Sequence, residues 1–312
     1  MKTSIVILNY NGKQHLKQFL PSVVECSSGT EIIIIDNASK DDSVKFLNEN
    51  YPSLRLIQLD KNYGFAEGYN QGLKQIDADI FVLLNSDVEV QPHWIEPIVC
   101  WMESESELAA VQPKILSFSE KDKFEHAGAS GGYLDKYGYP FCRGRIFETN
   151  EEDKGQYDER SHVFWATGAC MFIKSKAFHE CGGFDGDFFA HMEEIDLCWR
   201  LQRLGYKIGV EPKSKVFHLG GGTLNYMSPF KTKLNFRNSL FMLQKNLDRN
   251  RFFMIFFRLC LDGVAGAKFF FTGYFSHTFA IIKAHLNFMA NYRLIERREK
   301  PLLVSMESEV LN

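Results

Sequence analysis

The chain has 312 residues, 45% hydrophobic and 24% charged, with a net charge of −3 at pH 7. That length holds one large α/β domain with an appendage, or two domains, and the composition excludes disorder over most of the chain. The nearly balanced charge excludes an electrostatic case for nucleic-acid binding, and seven cysteines without a Cys-x-x-Cys pair read as reduced thiols of a cytoplasmic protein.

The start, Met1-Lys2-Thr3, leads straight into a strand pattern, so no secretory leader is expected. Residues 5–8 and 32–35 are unbroken aliphatic runs, as in strands buried on both faces. Helical spacing follows at 15–26 and 41–48, the second opened by Asp41 as a capping residue. Strand 54–59, helix 66–75 and strand 80–84 complete an alternation that predicts a mainly parallel central sheet. A helix over 92–103 and short strands at 109–112 and 115–118 come next. Residues 119–165 then change character, with glycines at 128, 131, 132, 138 and 144 and a charged run at 151–160, and read as an irregular insertion with hairpins and a mobile loop able to close over substrate. Strand 170–173, helix 194–204 stopped by Gly205, and strands 207–210 and 215–217 close this part. From about 228 onward the pattern is helical and rich in phenylalanine, of which the chain has 28. Arg258, Asp262 and Lys268 interrupt it, and the longest uncharged run, 269–282, falls short of the ~20 residues a membrane span needs. Interfacial or core-packing helices fit better, with Arg258, Lys268 and Lys283 meeting anionic lipid in the first case and self-association as a dimer in the second.

Several segments carry chemistry. The strand 80–84 ends in Asn85-Ser86-Asp87, at the sheet edge where α/β proteins hold ligands; Asp87 can ligate a divalent cation or simply build a turn. Asp36 ends the second strand and can accept from a base or ribose, or form an Asx turn. In Asn62-Tyr63-Gly64-Phe65 the chain turns into a helix whose amides could face phosphate or sugar, unless the glycine serves backbone geometry alone. Glu193-Glu194-Ile195-Asp196 crowds three carboxylates at a helix start, which can raise one pKa toward that of a base or merely suit the helix dipole. His218, just after a strand and before Gly220-Gly221-Gly222, is either a structural histidine or a metal ligand, with the glycines leaving room for a diphosphate. Trp165 is either a wall that stacks on a sugar ring or core.

In order, the segments SIVILNYNG (4–12), EIIIIDNAS (31–39), NYGFAEGYNQG (62–72), FVLLNSDVEV (81–90), ATGACMFIK (166–174), GGFDGDFFAHMEEIDLCWR (182–200) and the His218 stretch make the chain resemble the family 2 glycosyltransferases of GT-A fold, in their bacterial rhamnosyltransferase-like branch. The resemblance covers residues 1 to about 225. It implies a catalytic domain over 1–227, divided into a nucleotide-sugar half (1–118) and an acceptor half (119–227), followed by a helical region at 228–312. It implies that Asn9, Tyr10, Asp36, Asn62, Gly64 and Asn85 hold a UDP- or dTDP-linked sugar, with Asp36 on the imide N–H of the base and Tyr10 against the ring. Asp87 and His218 would bind Mg2+ or Mn2+, and Glu194, or else its neighbour Glu193, would take the acceptor's proton. Trp165 and Asp196 would face a glycan or lipid-linked acceptor of surface-polysaccharide synthesis, at the cytoplasmic face of the membrane. The family's Asp-x-Asp is Asn85-Ser86-Asp87 here, which removes one carboxylate. Two other readings stay open. A nucleotidyltransferase would need a basic phosphate loop that Asn9-Tyr10-Asn11-Gly12 does not supply, and a non-catalytic nucleotide-sugar-binding partner would not need the acidic and histidine positions.

Overall fold

In a computed structural model, the chain is described over residues 1–125, 128–146, 149–220 and 228–295. Strands β1 (Thr3–Asn9), β2 (Glu31–Asp36), β3 (Arg55–Gln58) and β4 (Ile80–Leu84) alternate with helices α1 (Lys13–Cys26), α2 (Ser43–Asn50) and α3 (Gly64–Leu73). Then come β5 (Val88–Val90), α4 (Glu96–Ser104), β6 (Leu108–Ser117), the hairpin β7 (Gly132–Leu134) and β8 (Pro140–Cys142), and the short strands β9 (Arg145–Ile146), β10 (Thr149–Asn150) and β11 (Ser161–His162). The chain continues through β12 (Cys170–Lys174), α5 (Ser175–Glu180), α6 (Glu193–Arg203) and β13 (Lys207–His218), and finishes in α7 (Pro229–Asn246), α8 (Arg251–Phe271) and α9 (Phe275–Asn291).

The main sheet has the order β11-β13-β6-β12-β4-β1-β2-β3, with β5 added on β13. Pairs among β1 to β4 are parallel, as the alternation predicts, and so is β6 with β13; β12 runs antiparallel between β4 and β6. Strand periodicity sorts the core into two layers. Ile5, Ile7, Ile34, Val82 and Leu84 face α1 and α4, whereas Val6, Ile33, Ile35, Phe81 and Leu83 face α3, α5 and α6. Covered on both sides, β4 is buried at every position.

Two pairs of short strands expected from sequence are single long strands. β6 runs through Pro113, and β13 runs through Glu211-Pro212-Lys213-Ser214 with a register shift there. Asp41 does not cap α2; it folds back on the Ser43 amide (3.0 Å). The insertion 119–165 does carry hairpins, but it is tied down. Lys114, fully buried, holds Asp153 (2.8 Å) and Asp158, and Arg160 pairs with the buried Glu211.

Helix α7 packs against α9 and joins the C-terminal helices to α6. Asp196 of α6 accepts from Asn246 (2.7 Å), and Lys245 bridges Asp185 and Asp187 (both 2.6 Å). Among the described residues no helix is long and apolar enough to cross a membrane.

Candidate active site

A cavity of about 840 Å³ opens at the carboxyl ends of β1, β4 and β13, the edge where α/β sheets place ligands. The turn after β4 carries Asp87 directly into β5, and β5 pairs antiparallel with the end of β13, so that Val88 stands opposite His218. Strand pairing alone therefore brings two residues 131 positions apart in sequence to one point. Asp87 Oδ1 lies 3.2 Å from His218 Nε2, and both side chains are buried. On its other side, His218 Nδ1 stands 3.2 Å from Glu125 Oε2, also buried. Burial alone would lower the imidazole pKa, but Asp87 and Glu125 outweigh it and raise it to about 10. Burial likewise works against the Asp87 carboxylate, and the His218 partner overrides it to hold its pKa below the usual value.

Two ligand atoms about 2.1 Å from one Mg2+ and at right angles stand about 3 Å apart, which the Asp87–His218 separation of 3.2 Å matches. Among the described residues no group of three His, Cys, Asp or Glu side chains forms a complete metal cage. A cation held by one or two protein ligands, with water and substrate phosphates filling the rest, does not need one. The pair fits such an ion, once the proton on Nε2 leaves.

The start of α6 lines the same cavity. Glu193 is buried and its pKa is raised well above the usual value, first by burial and then by the charge of Glu194. Burial also raises Glu194, to about 6, opposed by the amides of Met192, Glu194 and Ile195. Of the pair, Glu193 therefore holds its proton more tightly and Glu194 gives it up first. Glu193 Oε2, Glu194 Oε2 and His191 Nε2 are all closed off from solvent without a hydrogen-bond partner. The turn that presents them is strained, with positive φ at Phe189 (63°), His191 (69°) and Met192 (74°). Asn238 of α7 pins it, its Nδ2 lying 2.9, 2.9 and 2.7 Å from the carbonyls of Phe188, Ala190 and His191. Burial takes His191 down to about 4, leaving it neutral.

Of the residues singled out from sequence, Tyr10, Asn62, Gly64, Asn85, Asp87, Trp165, Glu193, Glu194 and His218 all line this cavity. Asn9, Asp36 and Asp196 do not. Asp36 is buried, accepting from Asn9 Nδ2 (2.9 Å) and the Ser39 amide (3.0 Å), so both oxygens serve the loop behind Tyr10. Asp196 turns away to Arg200 (2.9 Å) and Asn246, which makes it a buried structural anion rather than an acceptor contact.

The amides at the start of α3 are also committed. Gly64 N bonds Asn62 Oδ1 (2.8 Å), and Phe65 N bonds the Phe189 carbonyl (2.8 Å), so they do not face a phosphate. Gly64 is needed here for backbone reasons: its φ is +77°, and a Cβ would fall 2.6 Å from the Phe189 ring. Trp165 is core at its edge of the cavity, 6% exposed, with its ring against Gly132 and its Nε1 on the Tyr133 carbonyl (2.9 Å). The exposed cavity aromatics are Tyr10, Phe141, Phe189 and Phe230. Gly221 and Gly222 lie outside the described residues.

Sequence reasoning missed Glu125, His191 and the cationic Arg145 and Lys231, which also line or adjoin the cavity. Only His191 had a signal, its place beside the acidic cluster. Glu125 arrives through the return of the chain along β6, where its amide bonds the Ile115 carbonyl (3.1 Å), and no local pattern announces that.

A mainly parallel sheet with a histidine–aspartate pair at its edge, in one cavity with a glutamate whose pKa is raised, has the parts that nucleotide-linked group transfer uses. Residues 4–182 match the family model described as Glycosyl transferase family 2, and the chain belongs to that family. It is a glycosyltransferase. It is 25% identical over 233 residues to the N-acetylglucosaminyl-diphospho-decaprenol L-rhamnosyltransferase of Mycobacterium tuberculosis, covering 69% of this chain and 75% of the relative. It is 22% identical to the low-salt glycan biosynthesis hexosyltransferase Agl10 of Haloferax volcanii, covering 79% and 78% respectively. The structure of GalNAc-T7 with UDP, GalNAc and Mn2+ superposes with a TM-score of 0.60 at 17% identity. That match covers 78% of this chain but only 48% of GalNAc-T7 and shows the GT-A fold.

Proposed function

We propose that the protein is an inverting, metal-dependent glycosyltransferase that moves a sugar from a nucleotide diphosphate to a hydroxyl of a glycan or lipid-linked acceptor. The observation that carries this reading is that the Asp87–His218 pair and Glu194 line one cavity. When bound between Asp87 and His218, Mg2+ or Mn2+ would neutralise charge on the departing diphosphate. Glu194, ionised at neutral pH, takes the proton of the acceptor hydroxyl. The freed oxygen bonds to the anomeric carbon while the bond from that carbon to the diphosphate oxygen breaks. One direct displacement leaves no covalent sugar–enzyme intermediate and inverts the centre. Glu193, protonated, is a hydrogen-bond donor beside it. Tyr10 lies against the base, and Asn85 offers a neutral amide to the ribose or donor sugar.

UDP and dTDP are the nucleotides considered, by analogy with the family and with the UDP named for GalNAc-T7. A deoxyhexose donor such as dTDP-rhamnose follows from the rhamnosyltransferase relative. A lipid-linked acceptor would put the enzyme at the cytoplasmic membrane face as a peripheral protein. A panel of UDP-, dTDP- and GDP-sugars, assayed for hydrolysis and transfer with Mn2+ and with EDTA, tests the reading. Metal-dependent release of the nucleoside diphosphate from one donor is expected. Full activity in chelator, or no donor bound at all, would overturn it.

A further inference from the structure

We propose that the outward faces of α8 and α9 form one docking surface for an anionic lipid bilayer. The polarity of α8 is reversed relative to an ordinary surface helix. Its inward stripe, Ile255, Arg258, Asp262 and Gly266, contains both of its central charges, whereas Phe252, Phe253, Phe256, Phe257, Val264 and Phe271 point to solvent. Phe271 is 86% exposed and Phe252 is 70% exposed. In α9, Phe275, Phe279, Ile282, Leu286 and Met289 recur at four- and three-residue steps and are likewise exposed. The two stripes meet at the turn between the helices, where the Phe270 and Phe275 rings are 5.1 Å apart. A continuous apolar surface on this scale is not left bare by a soluble protein.

The inward charges are engaged within the fold. Arg258 donates to the carbonyls of Gly138 (2.9 Å) and Tyr137 (3.2 Å) and stacks on Tyr139, whose hydroxyl donates to Asp262 (2.8 Å). Arg258 therefore cannot meet lipid, contrary to the expectation from sequence.

Charge selects the occupant. Asp262 is the single acidic residue between positions 251 and 295, and it is buried; the exposed charges there are Lys268, Lys283 and Arg293. Such a surface, aromatic with a sparse basic rim, complements an anionic headgroup layer. A second copy of the chain would instead set these cations against the same cations with no carboxylate between them. Neither helix spans a bilayer, so the pair lies in its plane. This inference rests on the proposed transfer reaction only for where the acceptor lies.

The test is flotation of the full chain with phosphatidylcholine vesicles, with and without 30% phosphatidylglycerol (an arbitrary, roughly physiological fraction), in the absence of any sugar donor. The protein should float with the anionic vesicles. Phe252→Ser, Phe271→Ser and Phe279→Ser combined should weaken binding about tenfold or more. Lys268→Glu with Lys283→Glu should abolish the preference for phosphatidylglycerol while the melting temperature stays near wild type. Absence of flotation, or equal flotation by the triple serine variant, overturns the proposal. So does a dimer in solution that the serine variant splits without any vesicle binding. Because no donor enters this assay, its failure leaves the transfer reading standing, and a failed donor panel leaves the docking result standing.

Discussion

Glu194 and Glu193 are consecutive carboxyl groups whose pKa values are both raised, and burial plus the charge of Glu194 raises Glu193 further. Under the proposed reaction, Glu194 serves as base only when ionised, so kcat should climb with pH through about 6 and then level off. Glu194→Gln should lower kcat by about 10² or more and leave donor affinity nearly unchanged in a binding titration. Near-normal turnover would transfer the role to Glu193. Across the cavity, Glu125 holds the far nitrogen of His218 and thereby fixes the ring that faces Asp87. Outer partners of metal-binding histidines commonly change metal affinity by about 10- to 100-fold. Glu125→Gln should therefore weaken Mn2+ binding by about tenfold in calorimetry without donor present; unchanged affinity would reduce Glu125 to a packing residue. Glu193, Glu194, Asp87 and His218 were legible as cavity residues, because each ends or begins an element, whereas Asp196 of the same acidic run was not separable from them. Glu125 was not legible, since only the sheet order brings it there.

At the level of elements, α7 shapes the active-site turn. Asn238 gathers three carbonyls of the 188–191 segment, and the positive φ values there persist because α7 restrains them. Asn238→Leu keeps the approximate volume and takes this donor from the carbonyls of Ala190 and His191, whereas that of Phe188 still accepts from the Ala190 amide (2.7 Å) and Arg237 (3.2 Å). It should cost about 1–3 kcal/mol in urea unfolding and raise the acceptor KM as the turn relaxes; an unchanged unfolding midpoint would show that the turn holds itself. Periodicity located β4 to the residue and the helices it bounded, from α1 to α4 and α6, to within a few positions, but it missed the short α5. It could not read that β6 and β13 each continue through a proline, because their neighbours' pairing, not local propensity, carries the strand past it. Nor could it see that the loop at 151–160 is fastened by Lys114, a lysine that local sequence places in an ordinary strand.

For the molecule as a whole, the Asp87–His218–Glu125 cluster links stability to pH and, under the proposed function, to metal. The folded-state pKa of His218 is raised from 6.5 to about 10, so its contribution is complete below about 6.5 and is lost as pH rises toward 10. Asp87 is lowered from 3.8, so its contribution is present above that value and is lost as pH falls below it. Metal-free protein should accordingly melt highest between about pH 4 and 6.5 as far as this site decides, and progressively lower toward pH 10. A Mn2+ held by Asp87 and His218 would take the place of the proton on Nε2 and should raise the melting temperature more at pH 8.5 than at pH 6, where the proton competes. Scanning fluorimetry with Mn2+ or EDTA at both values checks this; equal shifts would mean that the cation does not displace that proton.

The buried link between Tyr139, Arg258 and Asp262 has a kinetic consequence. It fastens the phenylalanine-bearing helices to the turn immediately before Pro140 and Phe141, which line the cavity. An enzyme docked on that face meets a lipid-carried acceptor by sliding in two dimensions, with its cavity held at one attitude to the bilayer. The rate would then follow the acceptor's mole fraction in the surface rather than its bulk concentration. Adding inert anionic lipid at constant acceptor would slow turnover by dilution within the plane, whereas adding buffer would scarcely change it.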